Sequence, residues 1–165
     1  MSTTASVRLR GYRPADETAA LDVWRRSWQH AYPAIDFSAR LAWWRARWRE
    51  ELVGRAQVRV AEIDNGLVGF VTVDPSGYLD QIVVTPQAWG SGIAAALIED
   101  AKRLSPNRLE LHVNVDNARA IGFYRKHGFA VAGHDVNPHS GAAVLLMRWP
   151  PAESGAGDRS PPTAP

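Results

Sequence analysis

The hydrophobic and polar residues of the chain alternate with period two in some segments and follow a helical period in others. Segments of alternating or β-branched apolar residues favour strands. In the first half of the chain these segments are residues 7–12, 57–63, 67–73 and 78–84. Asp64-Asn65-Gly66 lies between the second and third segments and favours a tight hairpin turn.

Two helices are predicted between the first and second strands. The first begins at Pro14, has acidic residues in its first turn, and ends before Pro33. Asp36 or Ser38 is the candidate cap of a second helix that reaches about residue 52. The second helix mixes tryptophan with arginine, so we expect it to cover the sheet or to form a homodimer contact. These residues are Trp43, Trp44, Trp48, Arg45, Arg47 and Arg49.

The second half of the chain predicts two further helices and three strands. The helices span about residues 91–104 and 117–127, and the strands span residues 109–114, 129–133 and 142–149. The order β-α-α-β-β-β-α-β-α-β-β defines an α/β fold. After Pro150 the chain consists largely of Pro, Gly, Ser and Ala, so we expect one domain over residues 1–150 and a disordered tail over residues 151–165.

Composition limits the classes of function. A chain of 165 residues can form one domain with a substantial core. Its formal net charge of +2, from 19 basic and 17 acidic residues, argues against nucleic-acid binding. The chain has no cysteine, which excludes a cysteine nucleophile, and its five histidines lack a metal-binding spacing, so no metal is expected. No signal peptide or membrane-spanning run is recognised, so we expect a cytoplasmic protein with no membrane partner.

The region most informative about function is a loop between a strand and a helix. Residues 83–84 end a β-branched run, Gly90 and Gly92 follow, and an alanine-rich helix begins next. A glycine loop that leads into a helix N-terminus binds phosphate through backbone N–H groups. A nucleoside-triphosphate loop would need Lys and then Ser or Thr at residues 93–94, which are Ile and Ala. A dinucleotide fold is also disfavoured, because no acidic residue ends the next strand.

Several residues beyond the loop occur in an order that is typical of one family. They are Asn114, Asn117, Ala120, the Phe123-Tyr124 pair and Gly128-Phe129. Together with the loop they resemble the GCN5-related N-acetyltransferases, the GNAT superfamily. The family loop Q/R-x-x-G-x-G/A is placed on residues 89–94, where Trp89 departs from the usual Gln or Arg. The resemblance covers about residues 7–149 and implies a twisted mixed sheet flanked by helices, with acetyl-CoA as co-substrate.

The resemblance also implies which residues bind acetyl-CoA. The strand around Ile82, Val83 and Val84 is expected to pair with the amides of the pantetheine arm through its backbone. The loop residues expected to hold the pyrophosphate are Trp89, Gly90, Ser91, Gly92, Ile93 and Ala94. Asn117 is expected to contact the cofactor and to cap the last helix. Tyr124, protonated at neutral pH, is expected to donate a proton to the departing thiolate, with a packing role as the alternative.

The sequence indicates less clearly which residues would bind or deprotonate the amine that accepts the acetyl group. By simple alternation Asp80 shares a face with Ile82 and Val84, and is expected to take the ammonium proton or to bind the ammonium. The alternative is a structural acid paired with an arginine. Trp24, Trp28 and Tyr32 recur every four residues, which predicts either a core stripe or an aromatic lining for the acceptor amine. Weaker candidates for the base are His112, His134 and His139.

The predicted function is direct transfer of an acetyl group from acetyl-CoA to a primary amine. The acceptor is an unidentified small molecule, such as a small amine, an amino acid or an aminoglycoside-like drug, or a peptide amine such as a protein N-terminus. A non-catalytic acyl-CoA-binding module and a transferase for a different acyl group are the two alternatives. Release of free thiol from acetyl-CoA across a panel of amines distinguishes the enzyme from the binding module.

Overall fold

A computed structural model describes residues 6–151 of the chain. The predicted tail at residues 151–165 therefore lies outside the described residues, except for its first residue. The strands are β1 (Arg8–Gly11), β2 (Gln57–Ile63), β3 (Gly66–Val73), β4 (Leu79–Val84), β5 (Leu109–Asn114), β6 (Ala130–Val136) and β7 (Ala143–Trp149). The helices are α1 (Glu17–Ala31), α2 (Leu41–Arg47), α3 (Ile93–Leu104) and α4 (Ala118–Lys126). The predicted α/β class and order of elements are confirmed.

The chain divides into two compact units, one that ends at Leu104 and one that begins at Ser105. The first unit contains a four-stranded sheet in the order β1-β2-β3-β4. All three strand pairs in this sheet are antiparallel. β2 and β3 form the predicted hairpin, and Asp64 and Asn65 at its turn have φ of 51° and 66°. Positive φ at both central residues is the requirement of a type I′ turn, which explains the Asp-Asn-Gly sequence.

A β-bulge interrupts β4 near its beginning. Val71 of β3 pairs with Ile82, but Val73 pairs with Leu79, so three residues of β4 span the length that two residues of β3 span. The backbone N–H of Gln81 donates to the side-chain hydroxyl of the buried Thr72 at 3.1 Å instead of to the strand ladder. A bulge breaks the alternation of side chains along a strand. Simple alternation is therefore wrong for the first residues of β4.

One face of the first sheet is covered by an aromatic core from α1 and α2. Trp24 of α1 stacks on Trp44 of α2, with ring centroids 4.7 Å apart and planes 9° apart. Trp48 follows α2 in a wider π-helical turn and meets Phe70 of β3 edge-on at 5.0 Å. These four rings are at most 4% exposed. The prediction that the second helix covers the sheet is confirmed.

The second helix begins later than the sequence predicts. Asp36 caps a preceding turn, in which its Oδ1 accepts a hydrogen bond from the N–H of Ala39 at 3.1 Å. The helix itself begins only at Leu41. Asp36 is a good capping residue, but it caps the turn before the helix and not the first turn of α2.

The opposite face of the first sheet packs against α3. A Cβ at Gly69 of β3 would lie 3.2 Å from the side chain of Leu97 on α3. The neighbouring residue Phe70 packs against Trp48 on the other face, as expected for successive strand residues. The sheet is thus covered on both faces, and β4 at its edge leads directly into the glycine loop.

The second unit contains a three-stranded antiparallel sheet in the order β5-β7-β6 together with α4. The sheet of the sequence-based prediction is therefore divided between the two units. Helix α4 begins at the residue after Asn117, whose side chain accepts a hydrogen bond from the N–H of Ala120 at 3.1 Å. The predicted capping role of Asn117 is confirmed. The side chains of His112 and Asp135 approach each other to 3.3 Å.

Candidate active site

The loop after β4 exposes backbone rather than side chains. A single 3-10 turn, Pro86–Ala88, leads to Gly90 and Gly92, which have φ of 82° and 87°. Positive φ is unfavourable for residues with a Cβ, so both positions require glycine. A Cβ at either glycine would meet nothing within 4 Å, so open space adjoins both residues. Helix α3 begins directly afterwards, and the N–H groups of its first turn have no acceptor within the helix.

The geometry of this loop changes the register of the family motif by two residues. If Gln87 takes the first position, then Gly90 and Gly92 take the two glycine positions of Q/R-x-x-G-x-G/A. The earlier placement assigned the last position to Ala94, which is the second residue of α3. The positive φ angles identify Gly90 and Gly92 as the pair that shapes the loop. Gln87 is therefore a loop residue that the sequence analysis missed, although the motif itself carried the signal.

Trp89 has a structural role that explains its place in the loop. Its indole Nε1 donates a hydrogen bond of 2.8 Å to the carbonyl oxygen of Val84 at the end of β4. Its ring also meets the ring of His30 on α1 edge-on, with centroids 4.7 Å apart. The side chain therefore connects the loop to β4 and to α1, one of the helices that cover the first sheet.

A second group of hydrogen bonds holds the beginning of the loop. Arg26 of α1 donates to the hydroxyl of Thr85 at 2.8 Å and to the side-chain oxygen of Gln87 at 3.2 Å. The Thr85 hydroxyl in turn donates to the same oxygen of Gln87 at 2.7 Å. Ser91 donates through its hydroxyl to the carbonyl of Ala88. The loop is thus held in shape by side chains while its glycines remain open.

β4 is an edge strand of the first sheet, so the backbone groups along one of its sides are not paired with another strand of that sheet. The N–H of Thr85 donates to the carbonyl of Val68 at 2.8 Å. Because ladder hydrogen bonds alternate along an antiparallel pair, Val83 directs its backbone groups toward β3. Ile82 and Val84 direct theirs away from β3, so these two residues have backbone groups available for the predicted pairing with pantetheine, and Val83 does not. The Val84 carbonyl, however, already accepts the Trp89 indole.

Asp80 lies in a close ion pair. Arg47 at the end of α2 donates to both of its oxygens, at 3.0 and 2.6 Å, and the side-chain amide of Gln81 donates to Oδ1 at 3.0 Å. The bulge directs Asp80 toward α2, so the expectation that it shares a face with Ile82 and Val84 is wrong. The pairing with an arginine is the structural alternative that the sequence left open.

The three aromatic candidates of α1 have different surroundings. Trp24 is 4% exposed and lies in the core between Trp44 and Phe37. Trp28 stacks on Tyr32 with centroids 5.8 Å apart, and both are half-buried at the edge of the core. The indole Nε1 of Trp28 is buried and has no hydrogen-bond partner within residues 6–151. Only Trp28 and Tyr32 are therefore accessible enough to contact another molecule.

In the second unit, Tyr124 lies on α4 and is 9% exposed. Its ring packs against those of Phe123 and Phe129, with centroid distances of 5.4 and 5.7 Å. These contacts fix the direction of the phenol, which both a packing role and a catalytic role require. His134 and His139, the weaker candidates for the base, are exposed on β6 and in the loop after it.

The described part of the chain holds neither a metal-binding cluster nor a membrane-spanning helix. Over residues 6–151, no group of three or more His, Cys, Asp or Glu side chains is placed to hold a metal ion. None of the described helices is long and apolar enough to cross a membrane.

Comparison with known proteins identifies the family. The sequence model of the acetyltransferase (GNAT) family matches residues 17–129. The peptidyl-lysine N-acetyltransferase YjaB of Salmonella typhimurium is 31% identical, over 86% of this chain and 95% of its own length. The peptidyl-lysine N-acetyltransferase YiaC of Escherichia coli is 30% identical, over 80% and 89% of the two chains.

A solved structure agrees with these sequence matches. The PaiA N-acetyltransferase of Thermoplasma acidophilum, crystallised in complex with coenzyme A, has the same fold with a TM-score of 0.68. It is 20% identical, and the match covers 87% of this chain and 98% of that protein. The chain belongs to the GNAT acetyltransferase family and is an N-acetyltransferase.

Proposed function

We propose that acetyl-CoA binds along the open edge of β4 and that the loop after this strand holds its pyrophosphate. The outward N–H and C=O groups of Ile82 and the outward N–H of Val84 suit the amides of a pantetheine arm. The glycines at positions 90 and 92 let phosphate oxygens approach the backbone, and the first turn of α3 supplies further N–H donors and a favourable dipole. The other loop residues in this site are Trp89, Ser91, Ile93 and Ala94, and Asn117 is an additional contact.

The acceptor is a primary amine, in keeping with the peptidyl-lysine acceptors after which the two relatives are named. In the transfer, the amine nitrogen forms a bond to the acetyl carbon and the carbon–sulfur bond breaks. One amine proton leaves to water, and the thiolate of coenzyme A takes the proton of the Tyr124 hydroxyl. The phenol regains its proton from solvent. A phenol suits this role because its ordinary pKa near 10 keeps it protonated at neutral pH.

Asp80 and the aromatic pair of α1 are assigned to the acceptor side. Asp80 acts there by positioning Arg47, since Arg47 and Gln81 already occupy its oxygens. Trp28 and Tyr32 are the candidates for contact with the acceptor, while Trp24 serves the core. A cytoplasmic location and a homodimer remain predictions.

The observation that carries the cofactor site is the pair of positive-φ glycines with open space around them, directly before α3. Gly92→Glu places a negative side chain where the pyrophosphate would lie. We expect it to weaken coenzyme A binding at least about tenfold in calorimetric titration, since both charge and strain oppose the ligand.

Gly141→Glu is the matched control for this experiment. Gly141 also has positive φ, 74°, and open space around its Cβ position, but it lies in the loop between β6 and β7. The control therefore carries the same backbone strain and the same charge. Equal coenzyme A affinity in the two folded variants would refute the loop assignment.

A further inference from the structure

A charged cleft lies at the other end of β4, away from the glycine loop. It has a volume of about 280 Å³ and lies between the end of α2 and the turn that joins β3 to β4. The residues with ionisable side chains in its wall are Arg47, Glu51, Arg55, Asp74, Tyr78 and Asp80. This volume is near the lower end of small-molecule sites, which run from roughly 300 Å³ upward. The cleft therefore suits a small acceptor.

Part of the charge in this cleft is already compensated. Arg47 and Asp80 neutralise each other through two hydrogen bonds, and the Arg47 guanidinium lies 5.4 Å from the Trp44 ring. Glu51 Oε2 lies 2.9 Å from Arg47 Nε on the other side. Burial lowers the pKa of Arg47, but the hydrogen bonds and charge of Asp80 raise it by more, so its pKa lies above the ordinary value. This pair is a fixed part of the wall.

Two other charges in the cleft have no partner of opposite sign. Asp74 Oδ1 accepts hydrogen bonds from the N–H and hydroxyl of Ser76 and from the N–H of Tyr78, at 2.6 to 3.0 Å, and all three donors are neutral. Burial raises the pKa of Asp74, but these hydrogen bonds lower it by more, so the group remains an anion at neutral pH. Arg55 is exposed and forms no ion pair within residues 6–151.

We propose that this cleft binds a zwitterionic acceptor, a small molecule of the free amino acid type. Its ammonium faces Asp74 and Glu51, and its carboxylate faces Arg55. A polyamine would bring further positive charge toward Arg47 and Arg55, and a dianion would approach Asp74 and Glu51. Only a molecule with both signs of charge complements both sides of the cleft.

The position of the cleft fits acetyl transfer, and the inference rests on the proposed function. In coenzyme A, the thiol and the pyrophosphate lie at opposite ends of the pantetheine arm. With the pyrophosphate at the loop after Val84, the arm runs back along β4 toward the bulge. Asp80, on the cleft wall, is only two residues from Ile82, whose backbone is assigned to the arm.

The test compares amino acids with their carboxamides, which differ only in the carboxylate, and with two amines of other kinds. Thiol release from acetyl-CoA is measured with the full chain, using L-amino acids, their carboxamides, a blocked peptide with an internal lysine, and spermidine. We expect the amino acids to give the highest kcat/KM, by about tenfold or more over the matching carboxamides, because the amide lacks the charge that Arg55 binds.

Arg55→Gln is the variant that isolates the carboxylate contact. It is expected to raise the KM for amino acids about 5- to 10-fold and to leave the KM for carboxamides and the acetyl-CoA affinity unchanged. Arg13→Gln is the matched control, since Arg13 is also exposed, forms no ion pair in the described part of the chain, and does not line the cleft. It removes the same charge elsewhere and should leave the KM unchanged.

Three results would overturn the proposal. They are equal kcat/KM for amino acids and carboxamides, preference for the peptide lysine or spermidine, and equal effects of Arg55→Gln and Arg13→Gln. Each of these leaves the proposed function intact, because acetyl-CoA still binds and thiol is still released with an amine. Failure of the chain to bind acetyl-CoA would instead refute the proposed function, and the acceptor assignment with it.

Discussion

The two ends of β4 present different kinds of chemical group. At its last residues the strand passes into a loop whose glycines present open backbone, with positive φ at Gly90 and Gly92. At its first residues a bulge directs Asp80 to the side, where it meets Arg47 in a two-bonded ion pair. One end offers backbone dipoles, and the other offers charged side chains.

The two ends of β4 should also tolerate amino-acid substitutions differently. Backbone recognition depends on φ angles and open space, so side chains in the loop can differ provided that the loop keeps its shape. Recognition by side chains depends on each charged group and on the helix that positions it. Substitutions at the first end of β4 should therefore change the binding of the acceptor, and substitutions at the last end should change the binding of acetyl-CoA.

The strongest way to disturb this arrangement is to remove the packing that holds α2 over the sheet. Trp44 is 1% exposed and contacts both Trp24 and Trp48. Trp44→Ala is expected to lower the free energy of unfolding by about 3–5 kcal/mol in urea denaturation. Its sequence neighbour Trp43 is 46% exposed, so Trp43→Ala is the control and should cost less than about 1 kcal/mol. Equal losses would mean that α2 is not anchored by Trp44.

The next largest effect is expected from a residue at neither end of the strand. Tyr124→Phe removes one hydroxyl and should lower kcat about 100-fold, at the low end of the range for a general acid, because a thiolate is already a good leaving group. Acetyl-CoA affinity should hardly change. Tyr12→Phe, which removes the hydroxyl that accepts a hydrogen bond from Trp48, is the control and should retain the parent kcat. A Tyr124→Phe rate within about twofold of the parent would leave Tyr124 a packing residue.

Asp80 is the residue whose role at the first end of β4 can be tested by substitution. Asp80→Asn is expected to raise the acceptor KM or lower the rate about tenfold without changing coenzyme A affinity. If Asp80 acts by holding Arg47, then Arg47→Gln should have the same effect. If Asp80 is a general base, kcat should fall in Asp80→Asn and not in Arg47→Gln. Full activity of Asp80→Asn between about pH 6 and 9 would make Asp80 a structural acid.

The smallest expected effect concerns the shape of the loop. Trp89→Phe keeps an aromatic ring beside His30 but loses the hydrogen bond to the Val84 carbonyl. Loss of one such hydrogen bond should weaken coenzyme A binding a few fold, about 2- to 10-fold, in calorimetric titration. No change would show that the loop keeps its shape without the indole.

The two ends of β4 also differ in how much of their structure could be predicted from the sequence. The order of elements and the existence of the loop follow from local features, namely the hydrophobic period, the Asp-Asn-Gly turn and the two glycines. The residues at the first end of β4 are set by a register shift against β3, and register is a property of two strands together. Alternation therefore assigned Asp80 to the wrong face.

Contacts between distant residues were likewise beyond the sequence pattern. Arg47 was recognised only as one of several arginines of an amphipathic helix, and its partner lies 33 residues further along the chain. Gln87 was missed for a different reason, because the loop motif was placed two residues too late. The sequence already carried the correct register, since residues 87–92 match the motif at every defined position, and the positive φ angles of the two glycines agree with it.

In the proposed complex, the two ends of β4 bind different molecules. The most direct test is calorimetric titration of coenzyme A into the parent chain, Gly92→Glu and Asp80→Asn. We expect Gly92→Glu to bind coenzyme A at least about tenfold more weakly than the parent and Asp80→Asn to bind it as the parent does. Unchanged affinity in Gly92→Glu, or an equal loss in Asp80→Asn, would refute the assignment of the two ends.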